Sequence, residues 1–209
     1  MLLKAGDILL FQGDSVTDCG RSREDDARLG DGYPKIISEY LKGKYPNANF
    51  RVINRGVSGD RAKDLEARWD ADCLAIRPNV LTILIGINDT WRRFDRGDPT
   101  SAQAYRASYR CLLERVKNET DIRNIILIDP FVLPTPPDRA AWRDDLNPRI
   151  DIVRDLAREY GALYIPLDGL FAAASCERPC EYWAADGVHP TPDGHGLIAD
   201  AWIRIVENH

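Results

Sequence analysis

Short apolar runs alternate with longer amphipathic stretches along the whole chain. Short runs rich in Ile, Leu and Val predict strands, whereas apolar residues spaced three or four apart predict helices. The most apolar run, Val80–Ile85, is typical of a central parallel strand that is covered on both faces. The predicted strands are Asp7–Gln12, Phe50–Asn54, Val80–Ile85, Asn124–Asp129 and Ala162–Pro166.

Amphipathic stretches between these runs predict the helices. The final helix is expected to open at Thr191-Pro192, because threonine is a good N-cap and proline is favoured at the first helical position. An interruption is expected near Pro148. The predicted helices are Tyr33–Lys44, Asp60–Ile76, Ser101–Asn118, Asp138–Tyr160 and Thr191–Val206. Five strands separated by helices, without a break in composition, predict one α/β domain over residues 1–209 with a parallel sheet.

Composition narrows the class of protein. Hydrophobic residues at 44% and charged residues at 29% are typical of a globular chain and exclude disordered and fibrous classes. The net charge of −5 argues against nucleic-acid binding, which needs a basic face. No apolar run reaches the ~18 residues of a membrane helix. Asp7 lies inside what would be a signal-peptide core, so a cytoplasmic location is expected, provided that no leader was removed.

The cysteines do not suggest a metal site. They form an odd, irregularly spaced set, and no cluster of His and Cys residues completes a zinc-binding pattern. All five are expected to be reduced and structural: Cys19, Cys73, Cys111, Cys176 and Cys180.

Four polar segments share one predicted rim of the sheet. In open parallel sheets, ligands bind beyond the carboxyl ends of the strands. Three of the segments follow the first three strands, and the fourth precedes the final helix. They are GDSVTD (Gly13–Asp18), NRGVSGD (Asn54–Asp60), GIND (Gly86–Asp89) and DGVH (Asp186–His189). Their convergence indicates a single functional site.

A nucleophile and a base can be drawn from these segments. Ser15 stands just past a strand, where it is either a nucleophile or only the N-cap of the next helix. His189 is followed by a proline, which favours an extended backbone, and Asp186 stands three residues earlier. Such a turn can place the carboxylate against the ring, as a general base requires. The alternative is a capping turn with an incidental Asp–His contact. His195, inside the last helix, is expected to be structural.

Two further residues have the chemistry to stabilise an oxyanion. The Asn88 amide can donate a hydrogen bond, and Gly59 leaves its backbone N–H unobstructed. Ordinary turn chemistry is the alternative for both residues. Trp91, Arg92 and Phe94 follow the third segment and form either a pocket rim or helix-start packing with solvated arginines.

Together the four segments resemble the SGNH, or GDSL, hydrolase family over nearly the whole chain. The resemblance implies a three-layer α/β/α sandwich with a central five-stranded parallel sheet of the flavodoxin-like kind. It implies that Ser15 is the nucleophile, with His189 as its base and Asp186 orienting that base. It also implies an oxyanion hole made of the Ser15 and Gly59 N–H groups and the Asn88 side chain. No metal or other cofactor is required.

Longer stretches are similar to one branch of the family, the intracellular acetyl-xylooligosaccharide esterases. They are GDSVTDCGR, VINRGVSGD, KDLEARW and ILIGINDTWRR. The branch implies a small-molecule ester substrate, an acetylated sugar, hydrolysed through an acyl-enzyme on Ser15. Lipases, thioesterases and arylesterases also belong to the family, so a broader activity stays open. In the branch a Trp directly precedes the triad Asp, whereas Trp183 lies three residues before Asp186, which predicts a different pocket wall.

Supporting roles are expected for four more residues. Asp14 is expected to brace the turn under the nucleophile, and Asp89 to orient the neighbouring amide. Trp91 and Trp183 are expected to line the pocket. Tyr182 and Trp183 are alternatively interface anchors, which leaves a homo-oligomer open.

Two alternatives come from other functional classes. A metal-dependent phosphohydrolase could use Asp14 as an aspartyl nucleophile with magnesium, but it gives no role to His189 or Asn88. A catalytically silent carbohydrate-binding or interaction protein has no reason to keep a base and its orienting carboxylate. Sensitivity to EDTA separates the first alternative from a serine esterase, and a hydrolysis assay separates the second.

Overall fold

A five-stranded, fully parallel sheet forms the centre of the computed structural model, which describes residues 2–209. The strand order is β2-β1-β3-β4-β5, the order of flavodoxin-like doubly wound sheets. The strands are β1 (Ile8–Gly13), β2 (Arg51–Asn54), β3 (Val80–Leu84), β4 (Asn124–Ile128) and β5 (Leu163–Ile165). The predicted α/β/α sandwich is confirmed, and each predicted strand lies within one or two residues of its observed position.

Helices cover both faces of the sheet. One core joins the sheet to α2, α7 and α9, and the other joins it to α3, α5 and α6. The helices are α1 (Ser15–Asp18), α2 (Tyr33–Lys44), α3 (Ala62–Ala67), α4 (Ile87–Asp95), α5 (Ala102–Glu119), α6 (Arg143–Tyr160), α7 (Leu167–Ala174), α8 (Cys180–Trp183) and α9 (Pro192–Asn208). A π-helical turn spans Asp70–Leu74, and a 3-10 helix spans Pro137–Trp142.

Successive residues of the central strands are buried in opposite cores. In β1, Leu9 and Phe11 pack toward α2 and α9, whereas Leu10 packs toward α3 and α5. This explains why the strands are apolar throughout rather than alternating. The one hydroxyl in β3, on Thr82, accepts a hydrogen bond of 2.9 Å from the indole N–H of buried Trp202, so it is not stranded in the core.

Two of the helix predictions were wrong in detail. The chain does not break at Pro148, because Leu146 and Ile150 on either side of it are buried and hold α6 together. The single helix predicted over Asp60–Ile76 is instead α3 followed by the π-helical turn. The wider turn keeps Cys73 buried while the backbone hydrogen-bond pattern changes. The sequence patterns also missed α4, α7 and α8. They allowed for a helix directly after Ser15 with Ser15 as its N-cap, but the N-cap of that helix, α1, is Asp14.

Other predictions about the helices hold. Helix α2 has its predicted bounds, and the Thr191 hydroxyl caps α9 by accepting from the Gly194 N–H at 3.2 Å. All five cysteines are free thiols. Across residues 2–209, no helix is long and apolar enough to cross a membrane.

A tight backbone contact holds the loop after β2 against α1. A Cβ added at Gly56 would lie 2.3 Å from the backbone nitrogen of Asp18, which cannot move aside as a side chain can. We therefore expect Gly56→Ala to lower the free energy of unfolding by about 1–3 kcal/mol. Thermal denaturation would show this as a fall in Tm of roughly 3–10 °C.

A matched control for this substitution lies on the surface. Gly43 stands in α2, and a Cβ added there would meet nothing within 4 Å. Gly43→Ala should raise the free energy of unfolding by at most ~1 kcal/mol, because alanine favours the helix. An unchanged or raised Tm for Gly56→Ala would contradict the contact between this loop and α1.

Candidate active site

Ser15 stands at the carboxyl end of β1, on the first turn of α1. The turn is held by Asp14, whose carboxylate caps α1 by accepting from the Val16 N–H at 3.0 Å. Asp14 is buried beside a small cavity lined by Val16, Phe131 and Val188. Burial raises the pKa of Asp14 to about 7, against a smaller lowering by the hydrogen bond from Val16.

The histidine and aspartate predicted from the sequence come together with this serine. The Ser15 Oγ lies 2.9 Å from Nε2 of His189. On the other side of the ring, Nδ1 of His189 lies 2.6 Å from Oδ2 of Asp186. A carboxylate can only accept, so Nδ1 carries the proton and Nε2 is free to accept from the serine hydroxyl. This is the geometry in which a histidine can take the proton of a serine.

The backbone of the same turn holds the carboxylate in place. Oδ1 of Asp186 accepts from the N–H groups of Val188 at 3.0 Å and His189 at 2.7 Å. Burial alone would raise the pKa of Asp186, but the hydrogen bonds from His189 and Val188 outweigh it and keep that pKa well below its usual range. The hydrogen bond to Asp186 in turn raises the pKa of His189, against partial burial, which lowers it.

The raised pKa of His189 leads to a prediction about pH. A general base must be neutral, so activity should fall as pH drops through the pKa of His189. Since that pKa lies above its ordinary value of 6.5, the acidic limb of the kcat/KM profile should have its midpoint above pH 6.5. A stopped assay across pH 5–9, on a substrate that does not itself titrate, measures this midpoint. A midpoint at or below 6.5 would contradict the assignment of His189 as base.

The loop after β2 and the start of α4 are joined by a hydrogen bond. Gly59 has a φ of +91° in the left-handed region, where glycine is favoured, and an added Cβ there would meet nothing within 4 Å. The next residue, Asp60, accepts at its backbone oxygen from Nδ2 of Asn88 at 3.1 Å. The amide predicted from the sequence is thus held next to the predicted glycine.

Asp89 and Arg92 hold this region in ways that the sequence did not predict. The Asp89 carboxylate points to α3, where it accepts from the Ala62 N–H at 3.1 Å, and burial raises its pKa to about 6. The side-chain oxygen of Asn88, Oδ1, accepts from Nη2 of Arg92 at 3.0 Å, so Arg92 and not Asp89 contacts the amide. Arg92 stands one turn after Asn88 in α4, a helix that the sequence patterns missed.

An aromatic and cationic wall stands beside His189. The Trp91 ring lies 5.7 Å from the His189 ring, between centroids. The Arg139 guanidinium lies 4.1 Å above the Trp142 ring and 5.3 Å above the Trp91 ring, and its Nε donates to the Asp186 backbone oxygen at 3.3 Å. Arg139 and Trp142 lie at the start of the predicted helix Asp138–Tyr160, which here is the 3-10 helix, and sequence reasoning gave neither residue a role in the site.

Trp183 has different neighbours. Its indole N–H donates to the Ala174 backbone oxygen at 3.0 Å, and its ring meets Tyr182 edge-on at 4.9 Å. It packs at the edge of the core formed with α7 and α9. Trp183 therefore ties the end of α8 to the end of α7. Trp91 is the tryptophan that packs against the His189 ring.

His195 is structural, as predicted. It is buried, and its Nδ1 accepts from the Tyr33 N–H at 3.2 Å while Nε2 lies 3.4 Å from the Cys19 Sγ. Burial lowers its pKa to about 4 and keeps it neutral. Within residues 2–209, no group of three or more His, Cys, Asp and Glu side chains is arranged to hold a metal ion.

A serine, a histidine and an aspartate joined by hydrogen bonds at the strand ends of a parallel α/β/α fold form the arrangement that serine hydrolases use. The chain belongs to the GDSL-like lipase/acylhydrolase family, whose profile matches residues 11–197. It is a carboxylic ester hydrolase, as the resemblance implied.

Relatives along nearly the full length are esterases and hydrolases. The chain is 33% identical to an acetylxylan esterase of Geobacillus stearothermophilus, over 98% of this chain and 95% of that one. The crystal structure of that enzyme superposes with a TM-score of 0.88, at 33% identity, over 99% and 96% of the two chains. A putative GDSL-like lipase from Parabacteroides merdae gives 0.94, at 33% identity, over 98% and 97%. LAE5, an alpha/beta hydrolase from a Lake Arreo metagenome, gives 0.90, at 29% identity, over 99% and 98%.

Proposed function

We propose that the protein is a serine esterase that removes short acyl groups, acetyl above all, from small esters. Its leading substrates are O-acetyl groups on xylooligosaccharides or related sugars. The observation that carries the proposal is the chain of hydrogen bonds from the Ser15 Oγ through His189 to Asp186. The acetylated sugar as substrate is supported by the name of the Geobacillus relative and by the motifs of its branch.

The proposed reaction proceeds through an acyl-enzyme. His189 takes the Ser15 proton at Nε2 while Oγ attacks the ester carbonyl carbon. The oxyanion is held by the N–H groups of Ser15 and Gly59 and by the Asn88 amide. The tetrahedral intermediate collapses, and the leaving alcohol takes the proton from His189. A water, deprotonated by the same histidine, then attacks the acyl carbon, and His189 returns that proton to the Ser15 Oγ as the acid is released. Asp186 stays ionised throughout.

The surrounding residues have supporting roles in this proposal. Asp14 braces the turn that carries Ser15, and Trp91 forms the pocket wall beside His189. Asp89 ties the start of α4 to α3 and so keeps the Asn88 backbone in place. Trp183 packs the end of α8 against the core, three residues before Asp186, and so helps to hold the turn that carries Asp186 and His189.

The experiment compares acyl lengths and traps the intermediate. p-Nitrophenyl acetate and octanoate are assayed with EDTA present, followed by acetylated xylooligosaccharides. We expect faster turnover of the acetate, release of acetic acid from the sugars, and an acetyl adduct on the Ser15 peptide in acid-quenched samples. Faster octanoate turnover would favour the broader lipase activity named for the Parabacteroides relative. Loss of activity in EDTA, or an adduct on another residue, would overturn the proposal.

A further inference from the structure

The Asn88 amide is held at both of its polar ends. Its Nδ2 donates to the Asp60 backbone oxygen at 3.1 Å, and its Oδ1 accepts from Nη2 of Arg92 at 3.0 Å. A backbone carbonyl can only accept and a guanidinium can only donate. The two neighbours therefore permit one orientation of the amide. In that orientation one N–H of Nδ2 is occupied by Asp60, and the second N–H is left for a ligand.

The position of Arg92 follows from its helix. Residues four apart lie on the same face of a helix, so Arg92 reaches back over one turn of α4 to Asn88. The guanidinium is itself anchored, because it pairs with Asp95 and lies 5.7 Å from the Trp91 ring centroid. Its side chain is only 15% exposed. Arg92 is therefore a fixed donor and not a solvated surface charge.

We propose that Arg92 is a positioning residue, which locks the Asn88 amide with its free N–H toward the reacting oxygen. This inference rests on the proposed function, in which Asn88 is an oxyanion donor. If Arg92 were absent, only the Asp60 carbonyl would hold the amide, which could then swing about χ2 and move its free N–H away from the reacting oxygen. The guanidinium also withdraws electron density from Oδ1, so the N–H groups of Asn88 become stronger donors.

The expected signature is a loss of kcat with little change in KM. An oxyanion donor acts on the transition state, and substrate binding in the ground state does not use it. Asn88→Ala should lower kcat for p-nitrophenyl acetate by about 10²–10³-fold, the usual cost of one oxyanion donor. Arg92→Met should lower kcat by roughly 10–50-fold, because part of the Asn88 population still donates, and should change KM by less than about twofold. Arg92→Lys should lose less, because the ammonium can still donate to Oδ1.

Arg93 provides the matched control. It is the next residue of α4, its side chain is 55% exposed, and it pairs with Asp145 at 3.0 Å rather than with Asn88. Arg93→Met removes the same charge from the same helix. It should change kcat by less than about threefold.

A double-mutant cycle decides whether Arg92 acts through Asn88. In the Asn88→Ala background, Arg92→Met should change kcat by less than about twofold, since the amide that it orients is gone. An equal loss of kcat in both backgrounds would overturn the inference, because Arg92 would then act on the substrate or on folding. A rise in KM alone, or no loss at all, would also overturn it. Circular dichroism and Tm are measured for each variant, and Arg92→Lys carries the test if Arg92→Met does not fold.

The cycle separates failure of this inference from failure of the proposed function. If Asn88→Ala lowers kcat but Arg92→Met does not, the serine esterase proposal stands and the role of Arg92 is wrong. If Asn88→Ala has no effect and Ser15 is not acylated, both are wrong.

Discussion

Ser15→Ala is expected to lower kcat for p-nitrophenyl acetate by at least ~10⁴-fold, with no change in Tm beyond a few degrees. The Ser15 hydroxyl lies 2.9 Å from Nε2 of His189, where the ring can activate it. The methyl of alanine cannot form the acyl-enzyme, and only hydrolysis assisted by the remaining donors persists. Initial rates with purified variant, supported by circular dichroism, measure this loss.

A serine away from the strand ends provides the control. Ser108 lies partly exposed in the middle of α5, so Ser108→Ala should leave kcat within about twofold of the unmodified protein. Ser15→Ala activity within tenfold of the unmodified protein would rule out Ser15 as the nucleophile.

Asp186→Asn is expected to lower kcat by roughly 10³–10⁴-fold. The asparagine amide can donate to Nδ1, which favours the ring tautomer that carries its proton on Nε2. That proton would face the Ser15 Oγ, and His189 could no longer act as a base. The acidic limb of the kcat/KM profile should also move to lower pH, because the hydrogen bond that His189 donates to Asp186 is the main cause of the raised His189 pKa.

The matched control for this substitution is another aspartate. Asp200 lies on the exposed face of α9, so Asp200→Asn removes the same charge and should leave both kcat and the acidic limb unchanged. A loss of less than tenfold in Asp186→Asn, or an acidic limb that stays in place, would show that Asp186 does not orient His189.

Much of the fold could be predicted because it depends on local patterns. A run such as that of β3 can only be stable when both faces are covered, and the periodicity of α2 predicts its bounds. Parallel strands bring their carboxyl ends to one edge, so the segments after β1, β2 and β3 were expected to meet. The pattern therefore predicts that Ser15, Gly59 and Asn88 share one edge of the sheet.

Helix α4 shows where local patterns fail. Its first residues, after Gly86, include Asn88 and Asp89, which are typical of turns, so the sequence indicated a helix start only as an alternative for the residues from Trp91 to Phe94. In the structure Ile87 packs in a cluster with Trp142 and Val188, and these long-range contacts favour the helix over the turn. Only when this segment is helical do Asn88 and Arg92, four residues apart, lie on the same face.

By itself, the sequence determined the five strands, their order along the chain and which residue types stand at the strand ends, since these follow from neighbours along the chain. Only the tertiary structure decided the contact between Ser15 and His189, which are 174 positions apart. It also decided the orientation of Asn88 by Arg92, and the burial that shifts the pKa of Asp14. These depend on packing between distant segments, which no periodicity along the chain encodes.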